Sequence, residues 1–483
     1  MTNKIEGWTR LPESRSQPLI FRLILRPVRP GKDVTLIGIL IDEAGRGYDT
    51  LLIYEEKDPT KILCRLKVGD WSSFYEEFEV EGKRQTGTVR FKLAELSPDG
   101  AKLKIYRSQV YPTSEFVYPP KIGKELTARF GPYINEAVGR FIRVLDKQTI
   151  IEEFTYQIKW IGNAAKYLMK DASLYMMHWH LLDTIQHAFL SSIDPASGGY
   201  NEGEKEKEGW EIIKLGYRLA DMLVGEFIRL LDDHSYIIVV SDHGHVPNRR
   251  RFPLLKALLE AGLITARKDE NGKLVVDWGK SKIHISTTNI YVNLKSRYKG
   301  GVVEDYEYEE VRDQTIDLLR SLRDEEGRPV ISFAFKREDA PMIGLWGESI
   351  GDIVYAYSPG YTWSHNRYEE KISVDTGANH GPQIPTAESI YGSNYAVFMI
   401  AGPKIKRGYV RPLELLGPVF TVDVAPTVSY LLNVDPPRHS QGRILYDFLE
   451  GWDVSEVKRE HVDLSFPGKP QPLIGDVTEY TLL

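Results

Sequence analysis

The sequence predicts an α/β protein that carries an antiparallel β-rich module in its N-terminal part. Short β-rich runs follow one another without intervening helices over residues 17–112. From residue 137 onward, long segments place apolar residues at helical spacing. One of these segments leads into YIIVV, an apolar run that ends in the ligand-type residues SDHGH. Because an amphipathic helix followed by such a strand is typical of α/β layers, we expect a mostly parallel sheet flanked by helices.

The N-terminal strands are predicted from short β-rich runs separated by turn formers such as PGKD, KDPT and SPDGA. The runs are PLIFRLILRPV, DVTLIGILID, DTLLIYEEK, KILCRLKV, YEEFEVEG, GTVRFKLAEL and KLKIYRSQV. Strands at this spacing favour a sandwich or barrel-like module. The segment YPTSEFVYPPKIG is rich in Pro and Tyr and indicates a linker. We therefore expect two domains, at residues 1–112 and 113–483.

The second region is predicted to contain helices and buried strands. Apolar residues at helical spacing predict helices in AVGRFIRVLDKQTIIEEFTYQIKWIGNAAKYLMK, EGWEIIKLGYRLADMLVGEFIRLLDD, VRDQTIDLLRSLRD and DVAPTVSYLLN. Apolar runs predict strands at the start of ASLYMMHWHLLD and in YIIVV, NIYVNLK, DIVYAYS and YAVFMIAG.

Composition excludes some classes of protein. At 483 residues the chain is too long for one ordinary core, and 42% hydrophobic with 27% charged residues is typical of a globular protein. A net charge of -6 gives no electrostatic argument for a nucleic-acid or membrane partner. No window holds the roughly 18 consecutive apolar residues of a membrane helix. Cys64 is the only cysteine, so the chain has no internal disulfide, and we expect a reducing, cytoplasmic location. Because Cys64 lies in the apolar and basic run KILCRLKV, we expect it to be a packed strand residue rather than a nucleophile.

Five residues in three segments have the chemistry of metal ligands. Asp183 and His187 stand four apart, which places them on one face if a helix begins near residue 181. Asp242 and His243 follow the apolar strand YIIVV, and the glycine after them permits a sharp turn. His380 lies in the Gly-rich segment TGANHG. Ligands at strand ends suit α/β sheets, and O and N donors without thiolate suit Zn²⁺ or Mn²⁺.

Each segment also has an ordinary structural interpretation. An Asp and a His four apart also occur as a simple helix-face pair. An Asp-His-Gly segment at the end of a strand also occurs in helix caps and turns. A single histidine in a loop is, more often than not, not a metal ligand. His178 and His180 alternate on the predicted strand before Asp183, either one buried and one facing a pocket, or both structural. His245 and His284 show no spacing typical of metal ligands.

Taken together, the segments resemble a known family. The order D-x-x-x-H, S-D-H-G and N-H-G is similar to that of the type I phosphodiesterases and nucleotide pyrophosphatases of the alkaline phosphatase superfamily, above all archaeal and bacterial members. The resemblance extends over nearly the whole chain. It includes WHLLDTIQHAFLSSIDP, SDHGHVPNRRRFPLLKALLEAGLI, the segment from NIYVNLK to EEGRPV, the C-terminal DVAPTVSYLLNVDPPRHSQGRILYDFL, and the β-rich GDWSSFYEEFEVEGKRQTGTVRFKLAELSPDGAKLKIYRS.

The resemblance implies an alkaline-phosphatase-like fold and a metal-dependent hydrolase of phosphodiester or nucleotide pyrophosphate bonds. It implies two divalent ions, Zn or Mn, one held by Asp183, His187 and His380 and the other by Asp242 and His243. Such ions clamp a transferring phosphoryl group and activate a hydroxyl nucleophile. A cofactor-independent phosphoglycerate mutase or a sulfatase is the alternative within the superfamily.

One part of the family pattern has no counterpart in the sequence. Family members begin with a strand that ends in an Asp ligand, followed by a Ser or Thr nucleophile, whereas this sequence opens into the β-rich module. The nearest match is Asp42 with Thr50, but EAGRGYD is more typical of a hairpin turn. We therefore assign no catalytic residue and expect one ion or two, with weak or no turnover by this chain alone. The segment could come from a second chain, be removed by a truncation, or be lost in a degenerate member. Self-association and a non-catalytic metal- or ligand-binding role are further alternatives.

Overall fold

A computed structural model describes the fold of most of the chain. The described residues are 8, 11–25, 33–58, 60–80, 83–109, 111–113, 116–134, 138–365, 368–383 and 393–452. The chain divides into two compact units, the first comprising residues 1–227 and 244–394 and the second residues 228–243 and 395–483. The predicted boundary between residues 112 and 113 stays a prediction. Within the described parts, no helix has the length and apolar character to cross a membrane.

The N-terminal part of the first unit consists of antiparallel strands. They are β1 (Leu19–Leu25), β2 (Val34–Ile41), β3 (Thr50–Tyr54), β4 (Ile62–Leu66), β5 (Tyr75–Val80), β6 (Lys83–Val89), β7 (Phe91–Leu96), β8 (Leu103–Arg107) and β9 (Tyr111–Pro112). Strands β1 to β4 pair in chain order, β7 pairs with β8, and β6 lies between β5 and β9. Cys64 lies in β4, where burial raises the pKa of its thiol to about 12, which agrees with a packed strand residue rather than a nucleophile.

The helical part of the first unit begins with four helices. They are α1 (Pro120–Phe130), α2 (Lys147–Leu168), α3 (Leu181–Ile193) and α4 (Glu204–Ile228). The predicted helix over residues 137–170 is shorter in the structure, because the Asp146 side chain accepts a hydrogen bond of 2.8 Å from the backbone N–H of Thr149 and starts α2 there. Helices α2, α3 and α4 bury a shared apolar cluster that includes Phe154, Ile185 and Leu219.

Buried ionic contacts join the β-rich part to α2. The guanidinium of Arg90 donates to Glu153, with 2.9 Å from Nε to Oε1, and the Glu153 side chain is fully buried. The Tyr106 hydroxyl donates to the other carboxylate oxygen of Glu153 at 3.2 Å. Arg90 also lies over the Trp71 ring, 4.1 Å from its centroid. These contacts bury two opposite charges together, so each charge depends on the other for compensation.

The remaining elements of the two units include a four-stranded antiparallel sheet in the first unit. They are β10 (Ile237–Val240), β11 (Val246–Pro247), β12 (Arg250–Arg251), α5 (Leu254–Glu260), β13 (Ala266–Lys268), β14 (Leu274–Val276), β15 (Ile283–Ser286), β16 (Asn289–Val292), α6 (Tyr308–Ser321), β17 (Ile331–Lys336), β18 (Ile353–Tyr357), β19 (Ser373–Val374), β20 (Ala378–Asn379), β21 (Phe398–Ala401), α7 (Leu413–Leu416) and α8 (Val424–Leu431). The sheet has the order β15-β16-β18-β17 and packs against α5 and α6. Its strand β18 is buried throughout, as its apolar sequence indicates.

Two predictions about the sheet are not confirmed. Every strand ladder among the described residues is antiparallel, including β10 with β21 in the second unit, so the mostly parallel sheet stays a prediction. The apolar sequence of β10 predicts a strand, but it carries no information about the direction of the partner. Residues 172–180, predicted as a buried strand, form no strand, and Met176 is 81% exposed.

Candidate metal centre

Helix α3 supplies two of the candidate ligands. It begins at Leu181, so Asp183 and His187 lie one turn apart on the same face, as the spacing predicts. The Oδ1 atom of Asp183 lies 3.4 Å from Nε2 of His187. The local sequence alone brings these two side chains together.

A short antiparallel pair of strands supplies the other two. Strand β11 pairs with β20, and Val246 stands opposite Asn379. His245 precedes Val246 and His380 follows Asn379, so this register places the two imidazoles side by side. Their ring centroids are 5.1 Å apart. His245 is therefore brought to His380 by a pairing between segments that are far apart in sequence.

The four side chains converge on one point. Asp183 Oδ1 lies 3.4 Å from Nε2 of His187, 3.3 Å from Nε2 of His245 and 3.5 Å from Nε2 of His380. One ligand atom from each residue lies within 4.8 Å of the other three. A tetrahedral ion with bonds of about 2.0–2.1 Å separates its ligands by roughly 3.3 Å. The donor chemistry and the spacing therefore fit a divalent ion such as Zn²⁺.

Hydrogen bonding orients His187 toward this point. Its Nδ1 lies 2.7 Å from the carbonyl oxygen of Ala378, a distance at which Nδ1–H donates to the backbone. With its proton on Nδ1, the neutral imidazole can present the lone pair of Nε2 to an ion bound at this point. A bond from a histidine to a backbone carbonyl is the usual way in which proteins fix the tautomer of a metal ligand.

Asp183 and the neighbouring imidazoles shift each other's pKa values. Burial alone would raise the pKa of Asp183, but hydrogen bonds and charge from His187 and His245 hold it well below its ordinary value. The hydrogen bond to Asp183 raises the pKa of His187, and burial opposes that rise. Asp183 is therefore an anionic carboxylate at neutral pH, which is the form that binds metal.

The loop that carries His380 is anchored by Asp375. Its Oδ1 accepts hydrogen bonds of 2.9 Å from the Asn248 side chain and from the Gly377 backbone, and its Oδ2 accepts one of 2.8 Å from Arg251. Burial alone would raise the pKa of Asp375, but these hydrogen bonds lower it. The charged Asp375 thus holds the β20 segment against the segment that follows His245.

Asp242 and His243 lie in the second unit, directly after β10, as the sequence predicts. Asp242 is exposed, and its Oδ2 lies 3.4 Å from Nε2 of His243. The Ser241 hydroxyl donates to the backbone carbonyl of His243 at 2.6 Å. The two residues are not members of the four-residue group, so their role as ligands of a second ion stays a prediction.

His245 is the residue that the sequence analysis missed. The segment HVPN precedes a charged run and gives no helical or strand spacing relative to the other histidines. The rings of His178 and His180 lie 4.4 Å apart, and both residues are exposed, so neither is the buried histidine of the first alternative. His284 stacks on Tyr298 at 5.7 Å, and burial lowers the pKa of its imidazole, which is typical of a packing role.

Asp42 organises a hairpin turn. Its Oδ1 accepts hydrogen bonds from the backbone N–H groups of Gly45 and Arg46, at 2.6 and 3.1 Å, between the paired strands β2 and β3. Its Oδ2 accepts one of 2.6 Å from Ser16, which lowers the pKa of the carboxyl. Both carboxylate oxygens are thus used within the turn, which favours the hairpin over a metal site.

Asp42→Ala tests this assignment. Because the alanine removes the acceptor for two backbone N–H groups, we expect the melting temperature to fall by a few degrees while bound metal stays unchanged. Thermal unfolding and elemental analysis of the purified variant measure both. A loss of metal without a change in stability would instead make Asp42 a ligand.

Comparisons with known proteins give one family match and two similar solved structures. A model of the type I phosphodiesterase / nucleotide pyrophosphatase family matches residues 92–383. The solved structure of murine ectonucleotide pyrophosphatase / phosphodiesterase 5 is 16% identical, with a TM-score of 0.38, over 61% of this chain and 64% of that chain. The human protein of the same name is 16% identical, with a TM-score of 0.34, over 60% and 74%. The chain thus spans less than two thirds of the murine protein. No match was found among curated proteins.

Proposed function

Because the chain belongs to the type I phosphodiesterase / nucleotide pyrophosphatase family, we propose that it acts as a metal-dependent hydrolase of phosphodiester or nucleotide pyrophosphate bonds. The observation that carries this proposal is the convergence of one carboxylate and three imidazoles at the spacing of a metal site. We propose a phosphate ester or a nucleotide as substrate and the cytoplasm as location.

Asp183, His187 and His380 would hold the first ion, and Zn²⁺ or Mn²⁺ suits their oxygen and nitrogen donors. When bound, such an ion polarises a phosphoryl oxygen and stabilises the charge that develops on it. The hydrogen bond to Ala378 fixes the tautomer of His187, and the anchored loop of Asp375 keeps His380 in place. These contacts supply the preorganisation on which a metal site depends.

We assign His245 to the support of Asp183 rather than to the ion. A catalytic ion keeps a coordination position open for water or substrate, whereas four protein ligands close the site. The His245 side chain is only 2% exposed, with its Nε2 3.3 Å from Asp183. An Nε2–H donor in that position can occupy one lone pair of the Asp183 Oδ1 atom, and it leaves the fourth position of a tetrahedral ion free.

Asp242 and His243 are proposed as ligands of a second ion. Their donors and their place after an apolar strand support the assignment, as does the S-D-H-G segment that they share with the family pattern. Two donors make a weaker site than three, so we expect the first site to fill at lower metal concentration.

An assay of the purified chain tests the proposal. The chain is loaded with Zn²⁺ or with Mn²⁺ and incubated at high protein concentration with bis(4-nitrophenyl) phosphate, with metal content measured in parallel. We expect one or two bound ions and slow, metal-dependent release of nitrophenol, which a chelator abolishes. Asp183→Asn is the matched variant, since it replaces the shared ligand with an isosteric amide.

The outcomes separate enzyme from binding module. Turnover that requires metal and is lost in Asp183→Asn supports a hydrolase, whereas bound metal without turnover supports a non-catalytic metal-binding subunit. A chain that binds no metal, or that hydrolyses the ester equally well with chelator present, contradicts the proposed function.

A further inference from the structure

Asn248 lies where three segments of the first unit meet. It stands between β11 and β12, opposite residues 375–377, which stand between β19 and β20. Its backbone N–H donates a hydrogen bond of 2.9 Å to the carbonyl oxygen of Gly377, and its side-chain amide donates one of 2.9 Å to Oδ1 of Asp375. Asn248 is only 2% exposed. Its main chain and its side chain therefore both bind the segment that leads to His380.

The third segment follows helix α3, which carries Asp183 and His187. The carbonyl oxygen of Asn248 accepts a hydrogen bond of 2.9 Å from the backbone N–H of Gly198. The same oxygen accepts a second hydrogen bond, of 3.2 Å, from the Ser197 hydroxyl. Asn248 is thus bound on one side to the segment after α3 and on the other side to the segment before His380.

Gly198 allows the third segment to approach the other two closely. A Cβ atom at this position would stand 2.5 Å from the carbonyl oxygen of Arg249 and 2.7 Å from that of Asp375. Both distances are far below an ordinary van der Waals contact. The Arg249 carbonyl also accepts a hydrogen bond of 3.1 Å from the backbone N–H of Asp375. A side chain at residue 198 would therefore push α3 away from two segments that are bonded to each other.

The three segments carry all four side chains of the candidate metal centre. Asp183 and His187 lie on α3, His245 directly precedes β11, and His380 directly follows β20. Helix and strand geometry fix each side chain within its own segment, but the spacing between segments depends on contacts such as those of Asn248. A metal site tolerates deviations of only about 0.2 Å in its ligand distances. Contacts between the segments therefore decide whether the four side chains fit an ion.

The side chain of Asn248 adds less stability than its burial suggests. Its Oδ1 atom is buried and has no hydrogen-bond partner in the described part of the chain. A buried acceptor without a partner costs free energy, which offsets the gain from the hydrogen bond that the amide donates to Asp375. An asparagine at this position is thus better explained by what it holds in place than by the stability that it adds.

We propose that Asn248 is a positioning residue of the metal centre, which holds the segments of Asp183, His245 and His380 at the spacing that an ion requires. The proposal rests on the proposed function, because it takes these side chains as a metal centre. It deepens that function by adding a residue that acts through its neighbours rather than by contact with the ion. Asn248 acts through the Asp375 carboxylate on one side and through the Gly198 backbone on the other.

Asn248→Ala in the full chain tests the proposal, and Asn293→Ala is the matched control. Asn293 is also 2% exposed. Its side-chain amide donates a hydrogen bond of 2.9 Å to the Ser281 carbonyl, and its backbone N–H donates one of 2.8 Å to the Lys282 carbonyl. The two asparagines therefore have the same burial and similar hydrogen bonds, but Asn293 joins segments that carry none of the four side chains.

Zinc affinity and melting temperature should separate the two variants. We expect Asn248→Ala to lower the zinc affinity about 10–100-fold, the range for loss of a contact that orients a ligand, and to lower the melting temperature only slightly. We expect Asn293→Ala to lower the melting temperature by a few degrees and to leave the zinc affinity unchanged. Competition with a chromogenic chelator measures the affinity. The visible absorption spectrum of the Co²⁺-loaded chain reports the ligand geometry, and we expect it to change in Asn248→Ala alone.

Gly198→Ala is the second variant, because it disturbs the same junction from the side of α3. Its control is Gly225→Ala, which also adds one methyl group to the first unit but meets no atom within 4 Å. We expect Gly198→Ala to weaken zinc binding and to change the Co²⁺ spectrum, since the added Cβ separates α3 from the segments of His245 and His380. We expect Gly225→Ala to change neither.

An unchanged zinc affinity and an unchanged Co²⁺ spectrum in Asn248→Ala would overturn the positioning role, while the proposed function would stand. An equal loss of zinc affinity in Asn293→Ala would also overturn it, because the effect would then follow from a general loss of stability. An unaltered chain that binds no ion would contradict the proposed function itself, and this inference with it.

Discussion

Replacing Glu153 with glutamine is expected to lower the free energy of unfolding by about 3–5 kcal/mol, the range for breaking a buried ion pair. The Glu153 carboxylate is fully buried and accepts hydrogen bonds from Arg90 and Tyr106. Glutamine keeps the shape but leaves the Arg90 guanidinium, which is only 10% exposed, without a counter-charge. Denaturant unfolding of the purified variant, followed by circular dichroism, measures the loss.

Glu211 offers a matched control for this experiment. It forms an ion pair with Lys147 of α2, and both side chains are half-exposed or more. We expect Glu211→Gln to leave the free energy of unfolding nearly unchanged, because water screens both charges of this pair. An equal loss in both variants would show that the burial of Glu153 does not matter.

A double variant separates the charge from the packing. If Arg90→Met is combined with Glu153→Leu, both charges leave the site and the desolvation cost leaves with them. We expect this variant to be more stable than Glu153→Gln alone, since well-packed apolar residues often replace a buried ion pair without loss. A double variant that is less stable than the single one would make the hydrogen bonds, rather than the unpaired charge, the main contribution.

The sequence predicted those parts of the centre that depend on local geometry. Asp183 and His187 are one helical turn apart, so their meeting follows from the helix itself. His245 meets His380 only because Val246 pairs with Asn379 across more than a hundred residues. Such a two-residue pairing leaves no periodic signal, since period and propensity are properties of a continuous segment.

The same limit applies to the fold. The hairpin of β2 and β3 and the buried strand β18 follow from turn formers and apolar runs that act locally. The apolar run before Asp183 predicted a buried strand. An apolar run indicates only that its side chains tend to be buried, and it does not determine which strand or helix packs against it. Strand direction in the sheet is likewise set by tertiary pairing, which no single run encodes.

One guanidinium anchors the segment that carries His380. Asp375 accepts hydrogen bonds from Asn248 and Arg251, and Arg251 also donates to the Trp363 carbonyl. Arg251 therefore links the loop of His380 to the backbone at Trp363. A link of this kind holds a ligand side chain in position, which a metal site requires.

Removing His380 is expected to abolish stoichiometric metal binding, whereas removing His245 is expected only to weaken it. Without His380, two ligands remain at the first ion, and the affinity should fall much further than after the loss of a supporting contact. Without His245, the carboxylate of Asp183 loses a hydrogen-bond donor but all three ligands remain. Loss of such a supporting contact typically costs about 10–100-fold in metal affinity.

Competition with a chromogenic zinc chelator measures both affinities, and elemental analysis after dialysis gives the stoichiometry. His284→Ala is the matched control, because it removes a partly buried histidine that stacks on Tyr298 outside the four-residue group. We expect its zinc affinity to equal that of the unaltered chain. If His245→Ala loses metal as completely as His380→Ala, then His245 is a fourth ligand. The centre would then be coordinatively closed, which is typical of structural rather than catalytic zinc.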